Sequence, residues 1–212
     1  MNTAFGEKEV EDILEWGTAN YRNFSWRQNV TPYRILIAEI LLRRTTASAA
    51  TKVYDSFIQK YPDLLTLSKS SDLVLASELK GLGYNIVRSK ILKEVTESLL
   101  SKYENIPSDL DNLISIKHIG LYIAAAIISL GYNSPFPMVD SNVIRIMSRF
   151  YGKEFSQKEC FHELKSLLPA DFKMFNLTLL DFGALVCRPR YPLCSVCPIR
   201  KKCEFGKKFL NK

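Results

Sequence analysis

At 212 residues, 47% of them hydrophobic and 24% charged, the chain has an ordinary globular composition, with room for one domain or two small lobes. No apolar run approaches the ~20 residues that a bilayer span needs, and the opening MNTAFGEKEVED carries no secretory pattern; a membrane protein is excluded and an intracellular place, cytoplasm or nucleoid, is expected. The formal charge is +7, and the segment from Arg188 to Lys212 holds all of it, with eight basic residues against the single acid Glu204. A basic surface of this kind predicts a polyanion partner such as nucleic acid, with a tail that merely aids solubility as the competing account.

Val10, Ile13, Leu14 and Trp16 recur at helical spacing and predict a first helix. Thr31 is suited to cap a second helix and Pro32 to open it. Ile35, Leu36, Ile37, Ala38, Ile40, Leu41 and Leu42 then cover the whole circumference, the pattern of a helix buried in a core. In its middle stands Glu39. An ionised carboxylate there is costly unless paired, so Glu39 is expected to be either a structural partner or a group with a raised pKa suited to chemistry. Val53, Phe57 and Ile58 predict another helix, and Ile86, Val87, Ile91, Leu92, Val95 and Leu99 a long amphipathic one from about Asn85 to Tyr103. GLYIAAAIISLG is a small-residue helix suited to close packing, and DSNVIRIMSRFYG and DFKMFNLTLLDFGALVC supply two more. Glycine and proline punctuate at Pro62, Gly81, Gly83, Pro107, Pro135, Pro137 and Pro169. With no strand alternation, the expected fold class is all-α, built of many short helices.

Four of the five cysteines, Cys187, Cys194, Cys197 and Cys203, fall in CRPRYPLCSVCPIRKKC with the spacing C-x6-C-x2-C-x5-C. Four thiols in one short loop of an intracellular chain point to a metal centre rather than disulfides. Zinc and an iron–sulfur cluster both accept four cysteines, although the first gap is wide for a zinc ribbon. Cys160 stands apart on a predicted helix and reads as a buried apolar residue.

This loop resembles the [4Fe–4S] loop of the endonuclease III and MutY group of helix-hairpin-helix DNA glycosylases. FSWRQNVTPYRILIAEILLRRTT, GLGYNIVRSKIL, IKHIGLYIAAAIISLGYNSPFPMVDSNVIRIMSRFYG and FNLTLLDFGALVC resemble the same family in the family's order, across nearly the whole chain. The resemblance implies two helical lobes with a DNA cleft between them. One is a six-helix barrel-like domain with the hairpin, residues 24–134; the other is an iron–sulfur cluster domain made of 1–23 and 135–212. It implies a structural [4Fe–4S] cluster on Cys187, Cys194, Cys197 and Cys203, with Arg188, Arg190, Lys201 and Lys202 lying against DNA phosphates.

The family's hairpin usually reads L-P-G-V-G, whose backbone N–H groups hold a phosphate. Here it is Ile116-Lys117-His118-Ile119-Gly120. Gly120 keeps the second glycine, whereas His118 replaces the first and needs an altered turn, with Lys117 able to add charge. At Tyr122 bifunctional relatives carry a lysine that attacks the sugar as a Schiff base; tyrosine cannot do this, which implies water as the nucleophile. A core aromatic is the plainer account of Tyr122. MVDSNV places Asp140 eighteen residues further on, at the family's interval for the catalytic aspartate. Asp140 can also be the N-cap of the helix that follows, one oxygen capping and the other facing the sugar. The resemblance makes Glu39 the carboxyl of the pocket for the flipped base.

EILLRRTT resembles the thymine/uracil mismatch glycosylases, with Arg43 and Arg44 placed to meet the opposite guanine or else simply solvated at a helix end. Tyr84 in GLGY resembles a MutY wedge that stacks beside the lesion. The function expected is therefore a monofunctional, monomeric glycosylase that removes thymine or uracil opposite guanine in double-stranded DNA. An adenine glycosylase of MutY type without its 8-oxoguanine domain is the alternative, and a catalytically silent DNA-structure-binding protein is a third.

Overall fold

The computed structural model describes residues 4–208; Lys212 of the basic segment lies outside them. In chain order the helices are α1 (Glu7–Asn20), α2 (Pro32–Leu42), α3 (Ala47–Lys60), α4 (Leu64–Ser68), α5 (Asp72–Glu78), α6 (Asn85–Lys102), α7 (Leu110–Ile114) and α8 (Leu121–Ala126). They continue with α9 (Ser141–Tyr151), α10 (Gln157–Lys165), α11 (Phe172–Leu185) and α12 (Glu204–Lys207). The described residues contain no strand, and the fold is all-α. Among them no helix is long and apolar enough to cross a membrane. The chain forms two compact units, one of Asn23–Ser134 and one of Met1–Arg22 with Pro135–Lys212.

In the first unit α2 is the central element. Its N-terminus is set by the Thr31 side chain, which accepts the Arg34 N–H at 3.2 Å, and by Pro32 in the first turn. Tyr33 and every residue from Ile35 to Leu41 are buried, as expected of a helix apolar all round. The chain after α8 continues through a π-helical turn, Ile127–Gly131, which packs on the start of α2. A Cβ at Gly131 would stand 2.8 Å from Pro32 Cα, so only glycine permits this approach.

One expectation fails here. Ile86 and Val87 do not belong to the inward stripe of α6; they are 63% and 55% exposed. The inward face is Arg88, Ser89, Leu92, Val95, Thr96 and Leu99, so the first turn of α6 projects its apolar residues into solvent. The sequence pattern misses this because Arg88, a charged residue, takes an inward position.

In the second unit α1 packs on α11 through Gly17, where a Cβ would stand 2.3 Å from Thr178 Oγ1. Buried Asp181 on α11 accepts the backbone N–H of Arg22 at 3.0 Å and its Nε–H at 2.6 Å, which anchors the chain after α1. The core of this unit joins Ile13, Met147, Phe150, Phe175, Leu179 and Phe182, with Cys160 buried among them as an apolar residue. Each such side chain contributes on the order of 1.5–3 kcal/mol through burial.

Candidate functional site

Glu39 is 9% exposed, and its Oε1 accepts the hydroxyl of Tyr122 at 3.3 Å. Tyr122 sits half-buried in the first turn of α8, so the two expected site residues of the first unit meet. The hydrogen bond from this phenol orients the buried carboxyl.

The C-terminal end of α2 is fixed by a residue the sequence pattern did not single out. Arg88 of α6 is buried and donates through Nη1 to the carbonyl of Ile40 and through Nη2 to that of Arg43 at 3.0 Å. A guanidinium fork there satisfies carbonyls the helix cannot pair itself and suits the negative end of its dipole. Arg43 caps α2 and Arg44 follows with a left-handed φ of 53°; both are exposed.

Gly83 (φ 68°) and Tyr84 (φ 48°) are consecutive left-handed residues at the start of α6, and they lift the Tyr84 ring to 63% exposure. A tyrosine in this backbone region costs roughly 1–2 kcal/mol.

In the hairpin His118 takes a φ of 76°, in the left-handed region that glycine occupies without strain. Lys117 and His118 are not free cations, however. Both bond the same carboxylate oxygen of Glu94 on α6, Lys117 Nζ at 2.6 Å and His118 Nε2 at 2.9 Å. Those two bonds, that of Lys117 first, hold the Glu94 carboxyl below the usual range. The side-chain bond to α6 offsets the strain that a glycine would avoid. Gly120 caps α8 with an ordinary φ of −88°, and a Cβ there would meet nothing within 4 Å.

In the second unit Asp140 is the N-cap of α9. Its Oδ1 accepts the N–H groups of Asn142 at 2.8 Å and Val143 at 2.9 Å. Its Oδ2 accepts the Asn142 side-chain amide at 2.6 Å, so the second oxygen is also engaged, within its own turn. Asn142 is itself held by Arg145, whose Nη2 donates to Asn142 Oδ1 at 2.7 Å and whose Nε donates to the Cys187 carbonyl at 2.8 Å. A continuous set of hydrogen bonds thus runs from Asp140 to the first cysteine of the loop.

Cys187, Cys194, Cys197 and Cys203 line one small apolar cavity. Among the described residues no three His, Cys, Asp or Glu side chains converge on a single ion position. Four thiols around one cavity are a donor set that a zinc ion and an iron–sulfur cluster both accept. Donors already point at the sulfurs, with Arg149 Nη1 at 3.5 Å from Cys187 Sγ and the Gly206 N–H at 3.3 Å from Cys203 Sγ. Burial pushes the thiols of Cys194 and Cys203 up and that of Cys197 to about 12. Arg149 also donates to the carbonyls of Arg188 at 2.7 Å and Pro189 at 3.0 Å.

Arg145 and Arg149, one turn apart on α9, are the clamps of the loop. Their i, i+4 spacing on one face of an amphipathic helix was the available signal. Of the basic residues expected on DNA, Arg190 and Lys201 are exposed and Arg188 is half-buried. Lys202 is paired with the carboxylate of Glu9 at 2.7 Å.

Residues 37–170 match a family model described as HhH-GPD superfamily base excision DNA repair protein. The chain is 33% identical over 206 residues to a thymine/uracil-DNA glycosylase of Methanothermobacter thermautotrophicus, covering 94% of this chain and 93% of that one. It is also 33% identical over 200 residues to an adenine DNA glycosylase of Buchnera aphidicola subsp. Schizaphis graminum, covering 90% of this chain and 57% of that protein. Among solved structures, a thermostable thymine-DNA glycosylase superposes with a TM-score of 0.89 at 33% identity, covering 95% of this chain and 96% of the other.

Proposed function

The chain belongs to the HhH-GPD superfamily of base excision DNA repair proteins, and from that premise we propose that it is a monofunctional DNA glycosylase acting on thymine or uracil mispaired with guanine. The observation that carries the monofunctional assignment is the Tyr122 hydroxyl on the Glu39 carboxyl, a phenol where lyase chemistry needs an amine. The choice of base is supported by the similarity to thymine/uracil-DNA glycosylases along nearly their full length.

In the hydrolysis, water adds its oxygen to C1′ and the C1′–N bond breaks. The base leaves with the bonding pair and takes up one proton; the other water hydrogen stays on the new sugar hydroxyl. Positive charge builds on the sugar as the bond opens. Asp140 is assigned the role of stabilising that charge, its orientation fixed by the three N–H groups it accepts. Glu39 is assigned the hydrogen bond or proton to the departing base, with Tyr122 orienting its carboxyl. Arg43 and Arg44 are assigned to the opposite guanine, whose O6 and N7 suit a guanidinium. Tyr84 is assigned to stack where the flipped base was.

Lys117, His118, Gly120, Arg188, Arg190, Lys201 and Lys202 are assigned to the DNA backbone, the paired ones after exchanging a carboxylate for a phosphate. Cys187, Cys194, Cys197 and Cys203 are assigned to a [4Fe–4S] cluster that braces the basic loop, a role supported by the four thiols around one cavity. The protein is taken to work as a monomer inside the cell. The test is release of free base from T:G, U:G, A:G and A:8-oxoguanine duplexes, with borohydride present in a parallel reaction. Release of thymine and uracil without a trapped adduct supports the assignment. Release of adenine alone favours the second reading, for which the similarity to adenine DNA glycosylases speaks, and release of none favours a silent DNA-binding protein.

A further inference from the structure

The backbone that delivers Asp140 has no regular structure of its own. Residues 135–139 are outside any helix, and Pro135 and Pro137 offer no N–H. Met138 and Val139 nevertheless bury their side chains completely, so the polar groups around them must find partners inside the protein. Two side-chain amides provide them. Asn176 of α11, fully buried, accepts the Met138 N–H through Oδ1 at 3.0 Å and donates through Nδ2 to the Phe136 carbonyl at 2.8 Å. It pairs with the segment as a neighbouring strand would. Gln157, the first residue of α10, donates through Nε2 to the carbonyl of Val139 at 2.7 Å, one residue before Asp140.

An amide is suited to the Asn176 position because one neutral side chain must both give and accept a hydrogen bond. Beyond Asp140 the chain is fixed by the first turn of α9. Ahead of it, the fixing hydrogen bonds are those of Asn176 and Gln157.

We propose that Asn176 and Gln157 are positioning residues for the glycosylase reaction: by holding the backbone from Phe136 to Val139 they set where the Asp140 carboxylate stands. This rests on the assignment of Asp140 as the group that stabilises the sugar cation. Displacing a reacting group by about 1 Å can cost on the order of 100-fold in rate without loss of binding.

The test compares wild type, Asp140→Asn, Gln157→Ala and Asn176→Asp. Single-turnover thymine release is measured from a T:G duplex, affinity with a non-cleavable 2′-fluorothymidine duplex, and thermal melting alongside. Gln157→Ala is expected to release thymine about tenfold more slowly at a temperature well below melting, with affinity unchanged and melting lowered modestly because the Val139 carbonyl loses its donor. Asn176→Asp carries a second readout. Its protonated carboxyl restores both bonds, whereas its carboxylate cannot donate to Phe136. Its rate relative to wild type is therefore expected to fall as pH rises.

Wild-type rates in Gln157→Ala overturn the proposal, and so does a rate loss matched by an equal loss of affinity. If Asn176→Asp does not fold, Gln157→Ala decides alone. Full activity in Asp140→Asn overturns this proposal together with the assignment beneath it. An inactive Asp140→Asn beside an unaffected Gln157→Ala overturns only the proposal.

Discussion

Arg88→Ala removes the guanidinium that donates to the Ile40 and Arg43 carbonyls at the end of α2 while leaving every expected catalytic side chain unsubstituted, and its cost can be worked from the contacts. The Ile40 carbonyl becomes buried without a partner, and the Arg43 carbonyl, partly buried, loses one as well. Each loss costs about 1–3 kcal/mol. Burial already depresses the Arg88 pKa, and its Nε is buried without a partner, so relief of that desolvation returns part of the cost. The net destabilisation is about 3 kcal/mol. For a chain of this size that corresponds to melting roughly 6–12 °C lower. Arg88→Lys is expected to fall between the two, because one ammonium cannot serve both carbonyls as a planar fork does. Thermal denaturation followed by circular dichroism measures the effect, and base release at low temperature follows its consequence for the Glu39 helix. Melting of Arg88→Ala within a degree of wild type would refute the capping role.

Tyr122→Phe removes the hydroxyl from Glu39 and is expected to slow base release by about tenfold, the value of one hydrogen bond of this kind, with duplex affinity retained in a gel-shift measurement. For Glu94, the folded pKa lies below the ordinary glutamate value of about 4.3, so its bonds to Lys117 and His118 hold above that value and are lost as pH falls through the depressed one. A carboxyl-detected NMR titration is expected to show a Glu94 midpoint below that value, moving up in Lys117→Ala. Cys197→Ser is expected to abolish the broad violet absorbance of a [4Fe–4S] cluster and to loosen the loop against limited proteolysis; a colourless wild-type protein carrying stoichiometric zinc contradicts the cluster assignment.

The helical class was legible in the spacing of apolar residues, and the start of α2 in Thr31 and Pro32. The Asp140 cap was visible as an aspartate before a helix-forming run, and the cysteines through their grouping. Less legible were contacts made by long polar side chains to distant backbone, since these leave no period in the sequence. Arg88 is the clearest case. As a charge between apolar neighbours it reads as solvent-facing, and it pushed Ile86 and Val87 into the wrong face of α6. The pairing of Glu94 with Lys117 and His118 joins residues more than twenty positions apart, and Arg145 and Arg149 reach the cysteine loop about forty residues downstream. The π-helical turn at Ile127–Gly131 ends on a glycine pressed against Pro32, a tertiary contact that local propensity does not encode.

The most direct measurement is single-turnover base release from T:G and U:G duplexes by wild type and by Asp140→Asn, with borohydride in a parallel reaction. Wild type is predicted to release free base and leave abasic strands that break only on alkali or heat, with no trapped protein–DNA adduct. Asp140→Asn is predicted to bind the same duplexes and to be slower by on the order of 100-fold or more. Strand cleavage by wild type with a borohydride-trapped adduct, or undiminished base release by Asp140→Asn, would contradict a monofunctional glycosylase driven by this carboxylate.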